Sequence, residues 1–180
     1  MKKAVFFDRD GTLIFDKEYM FKPEDLELVS GAKETLAALK KAGFGLFILS
    51  NQSGVPRGYF TLEQAEAFNG CFIDALGLGG GVFDGVCLAI EPPDATDGYR
   101  KPSPKYVLEQ MQKYALSPEN VWVVGDRKSD WQTALNAHCN AVAVRTGKPL
   151  SEADTDFIKA NGVRLLDSVA ELPEFLGVGK

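Results

Sequence analysis

Apolar residues fall along this chain in short blocks, and between the blocks they recur every three or four positions. Strands and helices taken in turn produce that alternation. The blocks at 4–7, 45–49, 82–89, 121–124 and 141–144 predict strands. A helix is predicted over 32–41, with Leu36, Leu39 and Lys40 at helical spacing and Gly43 as its stop. Thr61-Leu62-Glu63-Gln64 has the pattern of a capping box, opening a helix that reaches Leu76. Ser103-Pro104 opens another, to Tyr114, with proline in the first turn. Further helices are predicted at 129–137, 151–160 and 167–176. The order predicts an α/β fold, a Rossmann-like three-layer sandwich around a mostly parallel sheet. The glycines of 77–81 read as a turn, and no repeat or linker divides the chain, so 1–180 is expected to be a single domain.

Composition narrows the partners. A net charge of −5 and a pI near 5.0 argue against nucleic acid or an anionic membrane, while leaving room for a local basic pocket. Met-Lys-Lys and the apolar run that Asp8 ends are too short for an export signal. Cys71, Cys87 and Cys139 are odd in number and lack a Cys-x-x-Cys, which predicts reduced thiols and a cytoplasmic protein.

Polar clusters follow four of the predicted strand regions: Asp8-Arg9-Asp10-Gly11-Thr12, Ser50-Asn51-Gln52-Ser53-Gly54, Arg100-Lys101-Pro102 and Gly125-Asp126 with Asp130. Ligands of open α/β sheets bind at that edge. On an extended chain Asp8 and Asp10 point the same way and Arg9 points away from them. Taken singly, each cluster also reads as a turn, a loop lysine or a helix cap; their convergence favours phosphoryl transfer. Asp8 can attack phosphorus, and Asp10 can protonate the leaving oxygen and then deprotonate water. Asp8, the Asp10 backbone carbonyl and Asp126 can hold Mg²⁺, with Asp130 bracing the site through a water. Ser50, the Asn51 amide and Lys101 offer donors to the phosphoryl oxygens. Trp122 and Trp131 read as packing residues, and the lone His138 as a helix end, which leaves no histidine nucleophile.

In that order these clusters resemble the four motifs of the haloacid dehalogenase superfamily, whose phosphatases carry the second aspartate. The stretch from Ser50 to Gly58, Arg100-Lys101-Pro102 and Arg145-Thr146-Gly147-Lys148 resemble the branch containing the D-glycero-D-manno-heptose-1,7-bisphosphate 7-phosphatases and the histidinol-phosphate phosphatases. The resemblance implies a site without a separate cap domain, in a monomer acting on a small phosphorylated metabolite. Arg100 and Lys101 would contact substrate and steady the phosphoryl group. The loop holding Asp16 and Tyr19 would lie against substrate, with Asn51 and Arg57 also near it. Heptose bisphosphate is the expected substrate and histidinol phosphate the alternative. A phospho-receiver signalling domain fits less well, because its aspartate lies on a later strand. The positions matching the branch's zinc ligands read Cys87, Ala89, Asp97 and Tyr99, so only one ligand survives and no zinc is expected. The loop at 91–98 would then be held by its prolines and by packing.

Overall fold

Six strands form one fully parallel sheet in a computed structural model that describes residues 1–178. The last two positions of the expected 1–180 span lie outside the described residues. The strands are β1 (Lys3–Phe7), β2 (Phe44–Asn51), β3 (Gly85–Ala89), β4 (Val121–Gly125), β5 (Asn140–Val144) and β6 (Arg164–Leu166). Their order across the sheet is β3-β2-β1-β4-β5-β6. The helices are α1 (Ala32–Lys41), α2 (Leu62–Leu76), α3 (Lys105–Tyr114), α4 (Lys128–Asn136), α5 (Glu152–Ala160) and α6 (Leu172–Phe175).

Strand alternation divides the core into two layers. Val5 and Phe7 face α1 and α2 with Leu46, Ile48 and Val124, joined by Leu36, Phe68 and Phe72. Ala4 and Phe6 face the opposite side with Phe47, Leu49 and Val123, covered by Val107, Met111, Trp131 and Ile158. Phe6 stacks on Phe47 at 4.6 Å between centroids. Each such side chain removed from water contributes roughly 1.5–3 kcal/mol. These two layers flanking the sheet make the three-layer α/β sandwich. The β1–β2 connection adds a 3₁₀ turn and α1, and the β2–β3 connection adds α2, so neither carries a cap.

Capping boxes fix where α2 and α5 begin. The Thr61 hydroxyl accepts from Gln64 N–H while Gln64 Oε1 accepts from Thr61 N–H, and Ser151 forms the same reciprocal pair with Asp154. His138 adopts φ 57° just past α4, so it does end that helix. Trp131 is fully buried, donates to the Gly125 carbonyl at 2.9 Å and stacks on Phe157; Trp122 is half-buried against Phe44.

Two expectations need correction, and one strand was missed. Residues 82–84 are a turn, not the start of β3: Val82 and Phe83 pack on the core, and Asp84 accepts from Leu46 N–H. The predicted helix at 167–176 is broken into a 3₁₀ turn (Val169–Glu171) and the short α6, and β6 was not expected at all. Among the described residues no helix is long and apolar enough to cross a membrane.

Candidate active site

The chain leaves β1 toward β2 on one side and returns from β3 to β4 on the other, so the order reverses at β1. A crevice opens at such a point, beyond the carboxyl ends of the strands. Asp8 follows β1, with its N–H on the Val124 carbonyl at 2.9 Å, and Asp126 follows the adjacent β4. Ser50 and Asn51 end β2. All four sequence clusters meet here, around a cavity of about 180 Å³ lined by Asp8, Asp10, Asn51, Arg100, Lys101 and Asp130 among others.

Two glycines let the backbone close on Asp126. A Cβ at Gly11 would come within 2.7 Å of Asp126 Oδ2, and Gly11 already sits at φ 90°. A Cβ at Gly147 would overlap the same carboxylate. Thr146 fastens the two loops, its hydroxyl donating to the Gly11 carbonyl at 2.7 Å.

Lys101 Nζ lies 2.7 Å from Asp8 Oδ1 and 2.5 Å from Asp130 Oδ1, all three side chains buried. Burial opposes the Lys101 charge, but Asp130 and Asp8 outweigh it and hold the ammonium protonated. Asp8 is pushed well above the usual carboxylate range, first by burial and then by Asp130, Asp126 and Asp10, with Lys101 pulling the other way. Burial and Asp130 likewise push Asp126 up, to about 6. One lysine does not balance three buried acids.

Carboxylate oxygens of Asp8, Asp126 and Asp130 lie within 4.8 Å of one another. Asp126 Oδ1 is buried without a hydrogen-bond partner among the described residues. An oxygen-only donor set with excess negative charge and an orphaned oxygen fits a hard divalent cation such as Mg²⁺. Asp130, which the sequence suggested as a brace acting through a water, lies within this cluster, with Oδ1 on Lys101 Nζ and its other oxygen accepting from Arg127 N–H at 2.9 Å.

Asp10 turns its carboxylate elsewhere. Its Oδ2 accepts from Gln52 Nε2 at 3.0 Å, from Ser50 Oγ at 3.2 Å and from an Arg9 nitrogen at 3.1 Å. Burial would raise Asp10, but the Arg9 charge and these hydrogen bonds outweigh it and hold the carboxyl below its ordinary value. Arg9 therefore does not point away from the pair: its backbone direction does, but the long side chain curls back onto Asp10.

Other expected residues are spread around the mouth. The Asn51 carboxamide is committed to the Lys101 backbone, accepting at 2.9 Å and donating at 3.2 Å. Arg100 donates to Ser53 Oγ at 2.9 Å. Asp16 and Tyr19 lie in a second cleft of about 270 Å³ with Glu18, Arg57, Arg127 and Lys148; Ser53, Arg100 and Arg127 line both spaces. Arg127 holds Asp16 at 2.6 Å, Lys148 holds Glu18 at 2.9 Å, and Arg57 stands over the Tyr19 ring and bonds its hydroxyl. Gln52 stood in a candidate cluster without a role, and Arg127 was not foreseen as a site residue. Gln52 lies two positions beyond Ser50 on an extended segment, and that spacing could have flagged it.

The loop at 91–98 is not held by prolines and packing alone. Glu91 Oε1 accepts from Tyr99 N–H at 2.7 Å, Ser103 Oγ donates to the Gly98 carbonyl at 2.7 Å, and Lys105 pairs with Asp97 at 3.0 Å. Cys87 is buried in β3, and burial pushes its thiol up to about 12.

The HAD-hydrolase-like family model matches residues 98–172. The D-glycero-beta-D-manno-heptose-1,7-bisphosphate 7-phosphatase of Pasteurella multocida is 32% identical, with 98% of this chain and 97% of that protein covered. The enzyme of that name from Escherichia coli is 31% identical over 95% of this chain and 92% of its own length. A crystal structure of D,D-heptose 1,7-bisphosphate phosphatase from B. bronchiseptica, complexed with magnesium and phosphate, superposes with a TM-score of 0.82 at 28% identity, covering 97% of each chain.

Proposed function

We propose that this chain, which belongs to the haloacid dehalogenase-like heptose-bisphosphate phosphatases, removes the 7-phosphate of D-glycero-D-manno-heptose 1,7-bisphosphate. It is a phosphatase by family, and the acid cluster at the ends of β1 and β4 suits phosphoryl transfer. One observation carries the bisphosphate reading. The cleft beside the catalytic cavity gathers Arg57, Arg100, Arg127 and Lys148 against only Asp16 and Glu18, in a chain whose net charge is −5. A second phosphate needs such partners.

Asp8 is the nucleophile. Its oxygen forms a bond to phosphorus as the bond from phosphorus to the sugar C7 oxygen breaks, giving an aspartyl-phosphate and a sugar alcohol. Asp10 gives that departing oxygen its proton. Asp10 then takes a proton from water as the water oxygen attacks phosphorus, which frees Asp8 and releases phosphate. A carboxyl held low is suited to the base step, and an incoming phosphate dianion raises it for the acid step. Lys101 donates to the phosphoryl oxygens and helps keep Asp8 ionised, with the Asn51 N–H as a further donor and Ser50 Oγ, which donates to Asp10 Oδ2 in the free site, turning to the phosphate when it binds. Asp8, the Asp10 carbonyl and Asp126 would hold Mg²⁺, with Asp130 beside them; when bound, it neutralises charge between the carboxylates and the phosphoryl group. Asp16, Tyr19, Arg57 and Arg100 bind the sugar and its second phosphate. The three cysteines are free thiols, which suits a cytoplasmic setting.

Histidinol phosphate is the second reading. Acids near the mouth would favour its cationic groups, but Glu91 is engaged by Tyr99 N–H and Asp97 by Lys105. Phosphate release should be measured with Mg²⁺ across sugar phosphates, sugar bisphosphates, histidinol phosphate and nucleotides. The heptose bisphosphate is expected to lead, and Asp8→Asn to abolish turnover. A flat profile at low rates would remove the substrate assignment, and turnover by Asp8→Asn would remove the nucleophile.

A further inference from the structure

Arg9 is the largest charged side chain in the interior, 1% exposed, and phosphoryl transfer as described above gives it no task. We infer that Arg9 is a positioning residue that sets the plane of the Asp10 carboxylate. The inference rests on the acid–base reading of Asp10.

The guanidinium meets Asp10 as a fork. Nε lies 3.1 Å from Oδ1 and one terminal nitrogen 3.1 Å from Oδ2. The other terminal nitrogen donates to Asn69 Oδ1 at 3.4 Å, and the guanidinium carbon stands 5.0 Å from the centroid of the Phe68 ring. Both Phe68 and Asn69 are buried in α2, so the fork is braced from behind by a helix. Only arginine offers two parallel donors to a carboxylate together with a flat face for an aromatic ring.

Stability is a poor reason for this arrangement. Taking the Arg9 guanidinium out of water costs on the order of several kcal/mol, set against a carboxylate that stays 22% exposed, and replacing such pairs by apolar groups of similar volume is often neutral or better. Function is a better one. Oδ2 takes three donors, from Arg9, Gln52 and Ser50, whereas Oδ1 takes only Arg9 Nε among the described residues. The fork fixes the carboxylate plane with one donor on each oxygen, and Gln52 and Ser50 load Oδ2 further, so Oδ1 is the less occupied oxygen of a residue that lines the catalytic cavity. A proton donor must be held in line with the departing oxygen, and misplacement of about 1 Å can cost on the order of 100-fold in rate.

The full chain with Mg²⁺ should be compared as wild type, Arg9→Lys and Arg9→Met on two substrates, the heptose bisphosphate and p-nitrophenyl phosphate. The first must expel an alkoxide and needs its proton; the second expels a phenolate that leaves without one. kcat/KM reports the steps up to the aspartyl-phosphate and so isolates the acid role. Arg9→Lys keeps charge and most of the volume but loses the fork. It is expected to lower kcat/KM for the heptose bisphosphate roughly 10- to 100-fold and for p-nitrophenyl phosphate less than about threefold. If Arg9→Met is too unstable to purify, Arg9→Lys alone carries the test. Equal losses on both substrates, or wild-type values on both, overturn the assignment. Asp10→Asn is the control. If it lacks the leaving-group dependence, the acid–base reading itself falls; if it has it and Arg9→Lys does not, only the positioning role falls.

Discussion

The side chain of Asn51 grips the backbone of Lys101 from both directions, accepting its N–H at 2.9 Å and donating to its carbonyl at 3.2 Å. Asn51 ends β2 and Lys101 lies in the loop between β3 and α3, so this clasp ties two distant segments at the point where Lys101 reaches Asp8. Asn51→Ala removes both bonds, at about 0.5–1.5 kcal/mol each. In a chain of this size each kcal/mol lowers Tm by roughly 2–4 °C. Activity should fall more than that loss suggests, on the order of tenfold or more in kcat, because Lys101 is released from its position. Thermal melts beside steady-state kinetics check this. A lowered Tm with unchanged kcat would make the clasp purely structural.

Metal-free stability should fall as pH rises. Burial and Asp130 push the Asp126 carboxyl up to about 6, and burial with its acidic neighbours pushes Asp8 up as well. A carboxyl raised in the folded state favours folding while it is protonated. That contribution is complete below the ordinary carboxylate range and is lost as pH climbs through about 6. Melts in a chelator should therefore show Tm declining across that window. Mg²⁺ at about 100 times its dissociation constant should restore roughly 2.7 kcal/mol at neutral pH. Asp126→Asn is expected to raise the metal-free Tm and to erase the response to Mg²⁺. A variant that keeps the full response would place the cation elsewhere.

The positions of Asp8, Ser50 and Asp126 were legible because each stands at the end of an apolar block that marks a strand, whereas Lys101, twelve residues past Ala89, was legible only from the Arg100-Lys101-Pro102 cluster. What alternation could not convey is the reach of a long side chain. It sets the direction of Cβ, and the Arg9 guanidinium lies several bonds beyond that, drawn back by Asp10 and Phe68. Val82 and Phe83 were read as strand because burial and strand leave the same apolar trace, and here a turn does the burying. The three residues of β6 are too few for a periodic signal. Arg127 carries no pattern at all; its part emerges only where two cavities share it.

Lys148 should matter for one phosphate and not the other. It pairs with Glu18 at 2.9 Å, with both side chains well exposed, and it lines the second cleft and not the catalytic cavity. Exposed ion pairs are weak, so Glu18 is readily exchanged for a phosphate dianion. Lys148→Ala is expected to raise KM for the bisphosphate roughly three- to tenfold with kcat nearly unchanged. KM for p-nitrophenyl phosphate, which has no second phosphate, should stay within experimental error. Increasing salt should narrow the gap between variant and wild type on the bisphosphate. Equal effects on both substrates would show that the cleft does not hold the second phosphate.

Glu91 should take over what a metal would otherwise do for the loop at 91–98. Its Oε1 accepts from Tyr99 N–H at 2.7 Å across the base of the loop, and its backbone carbonyl accepts from Arg100 at 3.4 Å. Gly98 packs so closely on the Glu91 side chain that a Cβ there would overlap it. Removing the carboxylate strands the Tyr99 N–H and frees the base of the loop directly before Arg100. Glu91→Ala is therefore expected to raise KM for the bisphosphate several-fold while leaving Asp8 chemistry on p-nitrophenyl phosphate close to wild type. Proteolysis should cut first within 91–98 in the variant, since an unfastened loop opens at low free energy. Structural zinc draws on thiolate and imidazole ligands, and Cys87 is a buried thiol pushed up to about 12. Elemental analysis of the purified chain should accordingly find no stoichiometric zinc, and added zinc should not rescue Glu91→Ala. Stoichiometric zinc, or rescue by it, would overturn the role given to Glu91.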